Sequence, residues 1–128
     1  MAYVNTNILS LVIRSTLKEG NNPQRVIIQT YNYNLSTNEE MTLEQILEIK
    51  GLNKQNVESV ISSQIKIANE EADRLKRLGY NVYTRDLTSS IYKIDNTDNY
   101  ILGPNNKLYV IYPYGNANNT DEMDVIVF

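Results

Sequence analysis

The side chains that most often carry covalent, acid–base or metal chemistry are scarce in this chain. It has no His and no Cys, which removes the common nucleophile–base pairs and the nitrogen and sulfur ligands of zinc sites. Serines occur, but none stands in a Gly-x-Ser-x-Gly elbow. Carboxylates remain, adjacent in sequence at Glu39/Glu40, Glu70/Glu71 and Asp121/Glu122. Sequence neighbours usually diverge in space, and acid–base catalysis needs a perturbed pair inside a cleft. Asp95-Asn-Thr-Asp-Asn99 has the look of a calcium loop but fails its geometry. Tyr100 stands where the sixth-position Gly belongs, and Asn106 where the twelfth-position Glu belongs. No catalytic residue, metal ligand or cofactor is therefore assigned, and the chain is expected not to be an enzyme.

Binding chemistry is better represented. Tyr112-Pro-Tyr-Gly115 leaves a strand and runs into Asn116-Ala-Asn-Asn119. Tyr offers large contact area at low entropic cost, Pro limits the backbone, and Gly permits a sharp bend. Tyr112, Pro113, Tyr114 and Gly115 are the candidate partner-binding residues, joined by Gly20 and Asn21 of an earlier Gly-Asn-Asn-Pro turn. The competing reading is a structural corner in which Tyr114 plugs the end of the sheet. Asp121 and Glu122 follow the loop and would attract a basic partner.

The elements that must position these loops follow from hydrophobic period. Asn7–Leu17 reads as a strand with Leu9, Leu11 and Ile13 on one side and Ser10, Val12 and Arg14 on the other. Arg25–Leu35 returns, with Ile27, Tyr31, Tyr33 and Leu35 opposed to Val26, Ile28 and Thr30, and both faces are expected to be partly covered. Thr42 with Gln45 forms a capping-box pattern for a short helix ending at Gly51. Asn53 caps a long helix whose apolar side is Val57, Val60, Ile61, Ala68, Ala72, Leu75 and Leu78, with Gly79 as its stop. Glu70/Arg74 and Asp73/Arg77 are spaced as i,i+4 pairs on its outer side. Val82–Tyr83 and Ile91–Ile94 read as short strand pieces. Tyr100–Leu102 and Leu108–Tyr112 flank a Gly103-Pro-Asn-Asn turn, and Met123–Phe128 closes the chain. The order implies an α+β domain: an antiparallel sheet of four to five strands with one long and one short helix packed on one face.

Composition bounds the partners. The 128 residues make one domain, with 41% hydrophobic and 21% charged residues, globular rather than disordered. The net charge of −3 is interspersed, so nucleic acid lacks its basic footprint. No window has the length and hydropathy of a transmembrane span, and Met1–Thr6 is no secretory apolar core. The abundance of Asn and Tyr fits an AT-rich genome, and the sequons Asn34-Leu-Ser36 and Asn118-Asn-Thr120 are read as chance matches.

Leu9–Arg14 leading through a Gly/Asn turn to Ile28–Leu35 and Ser36-Thr-Asn, then Thr42-Leu-Glu-Gln-Ile-Leu, Leu108–Gly115 and Asp124–Phe128, resembles a known family in order. It is a bacterial extracytoplasmic domain of unknown function, found at the C-terminus of lysozyme-sensing anti-sigma factors and beside peptidoglycan deacetylase domains, chiefly in Firmicutes. Its Gly-Gly-Ala-His turn is replaced here by Glu19-Gly-Asn-Asn-Pro23. The resemblance implies a non-catalytic binding or sensing module, excised from a larger or membrane-anchored cell-surface protein. Its partner would be a lysozyme-like protein or a wall-derived ligand held by sheet-end loops. The alternatives are an accessory structural domain of a peptidoglycan-modifying enzyme and a carboxylate-type glycan hydrolase.

Overall fold

A computed structural model describes residues 1–118 and 122–128. Asn119, Thr120 and Asp121 lie outside it, and with them the end of the Pro113–Asn119 loop, part of the second sequon and one acidic residue of the expected partner site. The fold is α+β, and its strands divide between two antiparallel sheets. The larger is ordered β1 (Ala2–Asn5), β2 (Ile8–Leu17), β3 (Arg25–Asn34) and β4 (Glu39–Glu40). The smaller is β5 (Tyr100–Leu102), β6 (Leu108–Pro113) and β7 (Met123–Val127).

Period-two alternation divides the β2–β3 hairpin into two unlike faces. Ser10 stands opposite Asn32, Val12 opposite Thr30, and Arg14 opposite Ile28. This side turns inward, where Val26 and Ile28 pack against Ile111 of the smaller sheet. Leu9/Tyr33 and Leu11/Tyr31 form the outward side. Tyr31 and Tyr33 are exposed on it, whereas Leu9 and Leu11 are half-buried.

The two sheets are joined by polar side chains rather than by a shared ladder. Ser10 Oγ donates to Asn32 Oδ1 at 2.6 Å and accepts from the Leu102 amide at 3.1 Å. Asn32 Nδ2 donates to the Tyr100 carbonyl at 2.8 Å, and the Tyr100 amide donates to Thr30 Oγ1 at 3.1 Å. Asn5 Nδ2 reaches the Leu102 carbonyl at 3.0 Å. The outer backbone edge of β5 is thus satisfied by four side chains of the larger sheet, which is what an edge strand needs when it is buried.

Helices α1 (Leu43–Lys50) and α2 (Lys54–Arg77) cover the opposite face of the smaller sheet. Leu108, Val110 and Tyr112 of β6 and Ile126 of β7 meet Leu43, Ile46 and Leu47 of α1 and Val57, Ile61 and Ile65 of α2 there. Both bonds of the Thr42–Gln45 capping box form, at 3.2 and 2.9 Å. Asn53 Oδ1 accepts from the Asn56 amide at 3.1 Å. Gly79, at φ +94°, ends α2 with the paired bonds Gly79 N–H to Lys76 and Tyr80 N–H to Leu75.

Several expectations for α2 are corrected. Ile65 is buried, whereas Val60 and Leu78 are exposed and Leu75 only half-buried. In the last turn of the helix Arg74, Lys76 and Arg77 are exposed, and only Leu75 is partly covered. Arg74 forks onto Glu71 at i,i+3, not onto Glu70. Residues 80–95 hold no strand; the segment is irregular, with 3₁₀ turns at Ser90–Tyr92 and Ile94–Asn96.

Candidate functional site

An open cleft of about 610 Å³ lies at one end of the sheets, lined by Leu17, Glu19, Asn22, Pro23, Gln24, Arg25, Tyr114, Gly115 and Asn116. Two loops distant in sequence build it. The β2–β3 turn closes with Asn22 N–H on the Glu19 carbonyl at 2.9 Å, Gly20 taking φ +53°. The loop after β6 bends at Gly115, φ +78°, a conformation that costs glycine little. Its backbone is pinned to β3: Val26 N–H donates to the Gly115 carbonyl at 3.0 Å, and Ala117 N–H to the Gln24 carbonyl at 3.3 Å.

The six sequence-predicted residues distribute unequally around this cleft. Tyr114 and Gly115 line it. Gly20 and Asn21 sit at the exposed tip of the turn whose neighbours Glu19, Asn22 and Pro23 line it. Pro113 is half-buried at the end of β6, opposite Met123. Tyr112 is 5% exposed and points into the core, its hydroxyl 3.1 Å from Thr97 Oγ1. It supports the loop from below and offers no surface.

Tyr114 has two aspects, one toward the cleft and one toward a buried polar cluster that the sequence reading missed. Its ring stacks on Tyr83 at 4.0 Å between centroids, and the Arg85 guanidinium carbon lies 5.3 Å from the ring centre. Its hydroxyl donates to Asp124 and lies 3.0 Å from the Tyr92 hydroxyl. Asp124 also takes a two-pronged contact from Arg85, Nε to Oδ2 at 2.9 Å and Nη2 to Oδ1 at 2.8 Å. Arg85 Nη1 donates to the Tyr83 carbonyl at 2.7 Å, and the Arg85 amide to Asn69 Oδ1 at 2.8 Å. The irregular segment is therefore fastened to α2 and β7 through one arginine. Burial, then the bonds to Asp124 and Tyr92, push the Tyr114 hydroxyl far above the ordinary tyrosine value. Burial lifts Tyr112 to about 12, with Thr97 opposing. All three tyrosines are protonated donors at neutral pH, since burial raises Tyr92 as well.

The remaining chemistry-bearing groups are spread apart. Glu71 is occupied by Arg74, and Glu122 pairs with Arg14 at 2.7 Å. Glu39, Glu40 and Glu48 border a shallow depression of about 250 Å³, and all three are exposed. Nothing there desolvates a carboxyl as a general acid requires. Asp95 forms an ion pair with Lys54, which Glu44 also approaches at 3.3 Å. That ties the Asp95–Asn99 segment to α2, and the lysine's pKa rises mainly through the bond to Asp95. Among the described residues no group of three or more acidic side chains is placed to hold a metal ion. The Ser-x-x-Lys spacing of acylating serines occurs three times, at Ser15/Lys18, Ser63/Lys66 and Ser90/Lys93, with all six residues exposed. Activation of such a serine calls for a desolvated lysine, which none of the three supplies. Among the described residues no helix is long and apolar enough to cross a membrane.

No protein-family model matches this chain, and no curated protein or solved structure does.

Proposed function

We propose that this domain is a non-catalytic binding module of the bacterial cell envelope, holding a polar, wall-derived ligand in the cleft between the β2–β3 turn and the β6–β7 loop. The observation that carries the reading is the lining of that cleft. Glu19, Gln24 and Arg25 project into it without a side-chain partner among the described residues, beside the amides of Asn22 and Asn116 and the edge of Tyr114. A carboxylate, a guanidinium and several amides around an aromatic ring suit acetamido sugars and short peptides carrying both an amine and a carboxylate. The envelope setting comes from the ordered motifs that resemble the extracytoplasmic family. Asp124, the largely buried acid bonded to Tyr114 of the cleft, is held in a two-pronged contact by Arg85, which suits a structural role and favours binding over hydrolysis.

A lysozyme-like protein is the other ligand that resemblance implies. Glu122, one of the two acidic residues expected to draw a basic partner, is engaged by Arg14, so the wall fragment is the better-supported ligand. Calorimetric titration with soluble muropeptides and with lysozyme tests the choice. Saturable muropeptide binding, weakened tenfold or more by Gln24→Ala or Glu19→Ala at unchanged melting temperature, is the expected result. A wild-type domain that binds neither ligand removes the proposal.

A further inference from the structure

The outward face of the larger sheet has no counterpart among the functions above, and its surface is unusual for a chain in which 21% of residues are charged. Val4, Ile13, Ile27, Tyr31, Tyr33 and Leu35 lie there, between 38% (Ile27) and 63% (Val4) exposed. Cross-strand pairing sets them side by side, Val4 and Tyr33 flanking Leu9, and Tyr31 beside Leu11. At roughly 200 Å² for a large side chain, these six present on the order of 500 Å², the upper end for a monomer's largest apolar patch. Half-buried Leu9, Leu11 and Leu17 extend it toward the ~800 Å² per partner of a specific interface.

We infer that this face is a self-association surface, on which a second copy of the chain packs sheet against sheet to form a two-fold dimer. Charge selects that occupant. Each copy carries a net −3, so two copies approach most easily through a face with little charge of its own. Strand alternation leaves two charged residues on it, at opposite ends: Arg25, opposite Leu17, and Glu40, opposite Tyr33. They are eight residues apart along β3, roughly 27 Å at strand rise. A two-fold axis perpendicular to the strands, near Ile13 and Gln29, lays Arg25 of each copy over Glu40 of the other. An axis along the strands would set like charges together. The antiparallel arrangement is therefore the one that forms, with the aligned packing usual for stacked sheets.

Sedimentation velocity on the 128-residue protein across a micromolar concentration series tests this. The expected result is a reversible monomer–dimer equilibrium. Ile13→Lys, which places two ammonium groups beside the axis, abolishes the dimer while leaving the circular-dichroism melt unchanged. Arg25→Glu weakens it at least tenfold, and Arg25→Glu with Glu40→Arg restores it. Mass is the readout because Arg25 also lines the ligand cleft, so failure here is distinct from failure of ligand binding. A monomer at every concentration overturns the inference, as does a dimer indifferent to Ile13→Lys. A wild-type monomer that binds neutral phosphatidylcholine vesicles overturns it in favour of a lipid surface. A dimer broken by Ile13→Lys but unmoved by Arg25→Glu overturns the antiparallel arrangement.

Discussion

Replacing Asp124 by Ala probes what fastens the irregular segment to the rest of the domain. The change takes a two-pronged carboxylate from Arg85, whose side chain is 4% exposed, while Asp124 itself is 15% exposed. Removing one member of a buried ion pair costs about 3–5 kcal/mol, because the remaining charge keeps its desolvation penalty. The Tyr114 hydroxyl loses an acceptor as well, about 1 kcal/mol more, with Tyr92 still in reach. A domain of this size is stable by roughly 6–15 kcal/mol, so a quarter or more of the total goes. Replacing both partners by apolar residues, Arg85→Met with Asp124→Leu, removes both desolvation penalties and should cost far less than the two single changes together. Urea unfolding at neutral pH, followed by circular dichroism and by tyrosine fluorescence, reads the wild type and the four variants: Asp124→Ala, Arg85→Met, Asp124→Leu and the double change. Coincident transitions license the comparison. The reasoning fails if Asp124→Ala costs under about 1 kcal/mol, or if the double variant loses the sum of the singles.

Three further outcomes are expected. Thr42→Ala removes the capping-box acceptor 3.2 Å from the Gln45 amide and should lower stability by ~1 kcal/mol in urea titration. Gly103→Ala drives a methyl to 2.8 Å from the Tyr109 ring; a loss of about 1–3 kcal/mol is expected, largely recovered when Tyr109→Ala is added. Tyr112 titrates at about 12 rather than 10.0, and Tyr114 and Tyr92 are also raised. The unfolded chain therefore loses these protons first as pH rises, and the stability present below pH 10.0 drains away between there and about 12. Melting temperature measured across that window should fall, and the fall should be shallower in Tyr112→Phe; a flat profile contradicts the burial assigned to these hydroxyls.

Local rules made much of this fold legible. The capping box at Thr42, the Asn53 cap and the Gly79 stop are short-range signals, and each is satisfied by neighbours within a few residues. Strand alternation in β2 and β3 was equally readable and set Leu11 and Val12 on opposite sides, but it did not say which side turns inward. What lay hidden is tertiary. Alternation cannot say which strand pairs with which, so the division into two sheets depends on Ser10, Asn32 and Thr30 reaching β5, a contact about seventy to ninety residues away. Val82–Tyr83 and Ile91–Ile94 carry strand-forming side chains, yet the partners beside them are distant in sequence: Arg85 bonds Asp124, 39 residues on, and the Ile94 amide bonds Glu58, 36 residues back. A lone Arg among polar residues gives no sign of that role. Short β1 and β4 carry too few residues to show a period at all.

The candidate site was half legible for the same reason. Turn chemistry pointed to Gly20–Pro23 and Tyr112–Gly115 separately, and the cleft exists because Val26 and Ala117 bond across them. Glu19, Gln24 and Arg25, which give the cleft its polarity, look like ordinary turn residues until the second loop is placed beside them. Tyr112 showed the limit of composition: a tyrosine beside Pro and Gly reads as a contact residue, but its parity in β6 turns it to the core with Leu108 and Val110.

The claim that the sheet-end cleft holds a wall-derived ligand is tested most directly by amide chemical-shift mapping of the labelled domain with purified muropeptides. Saturable shifts should cluster on Glu19, Asn22, Gln24, Arg25, Gly115 and Asn116, and leave α2 and the outward sheet face beyond Leu17 and Arg25 unmoved. Shifts that are absent, or that saturate on any other surface, contradict the assignment of this cleft.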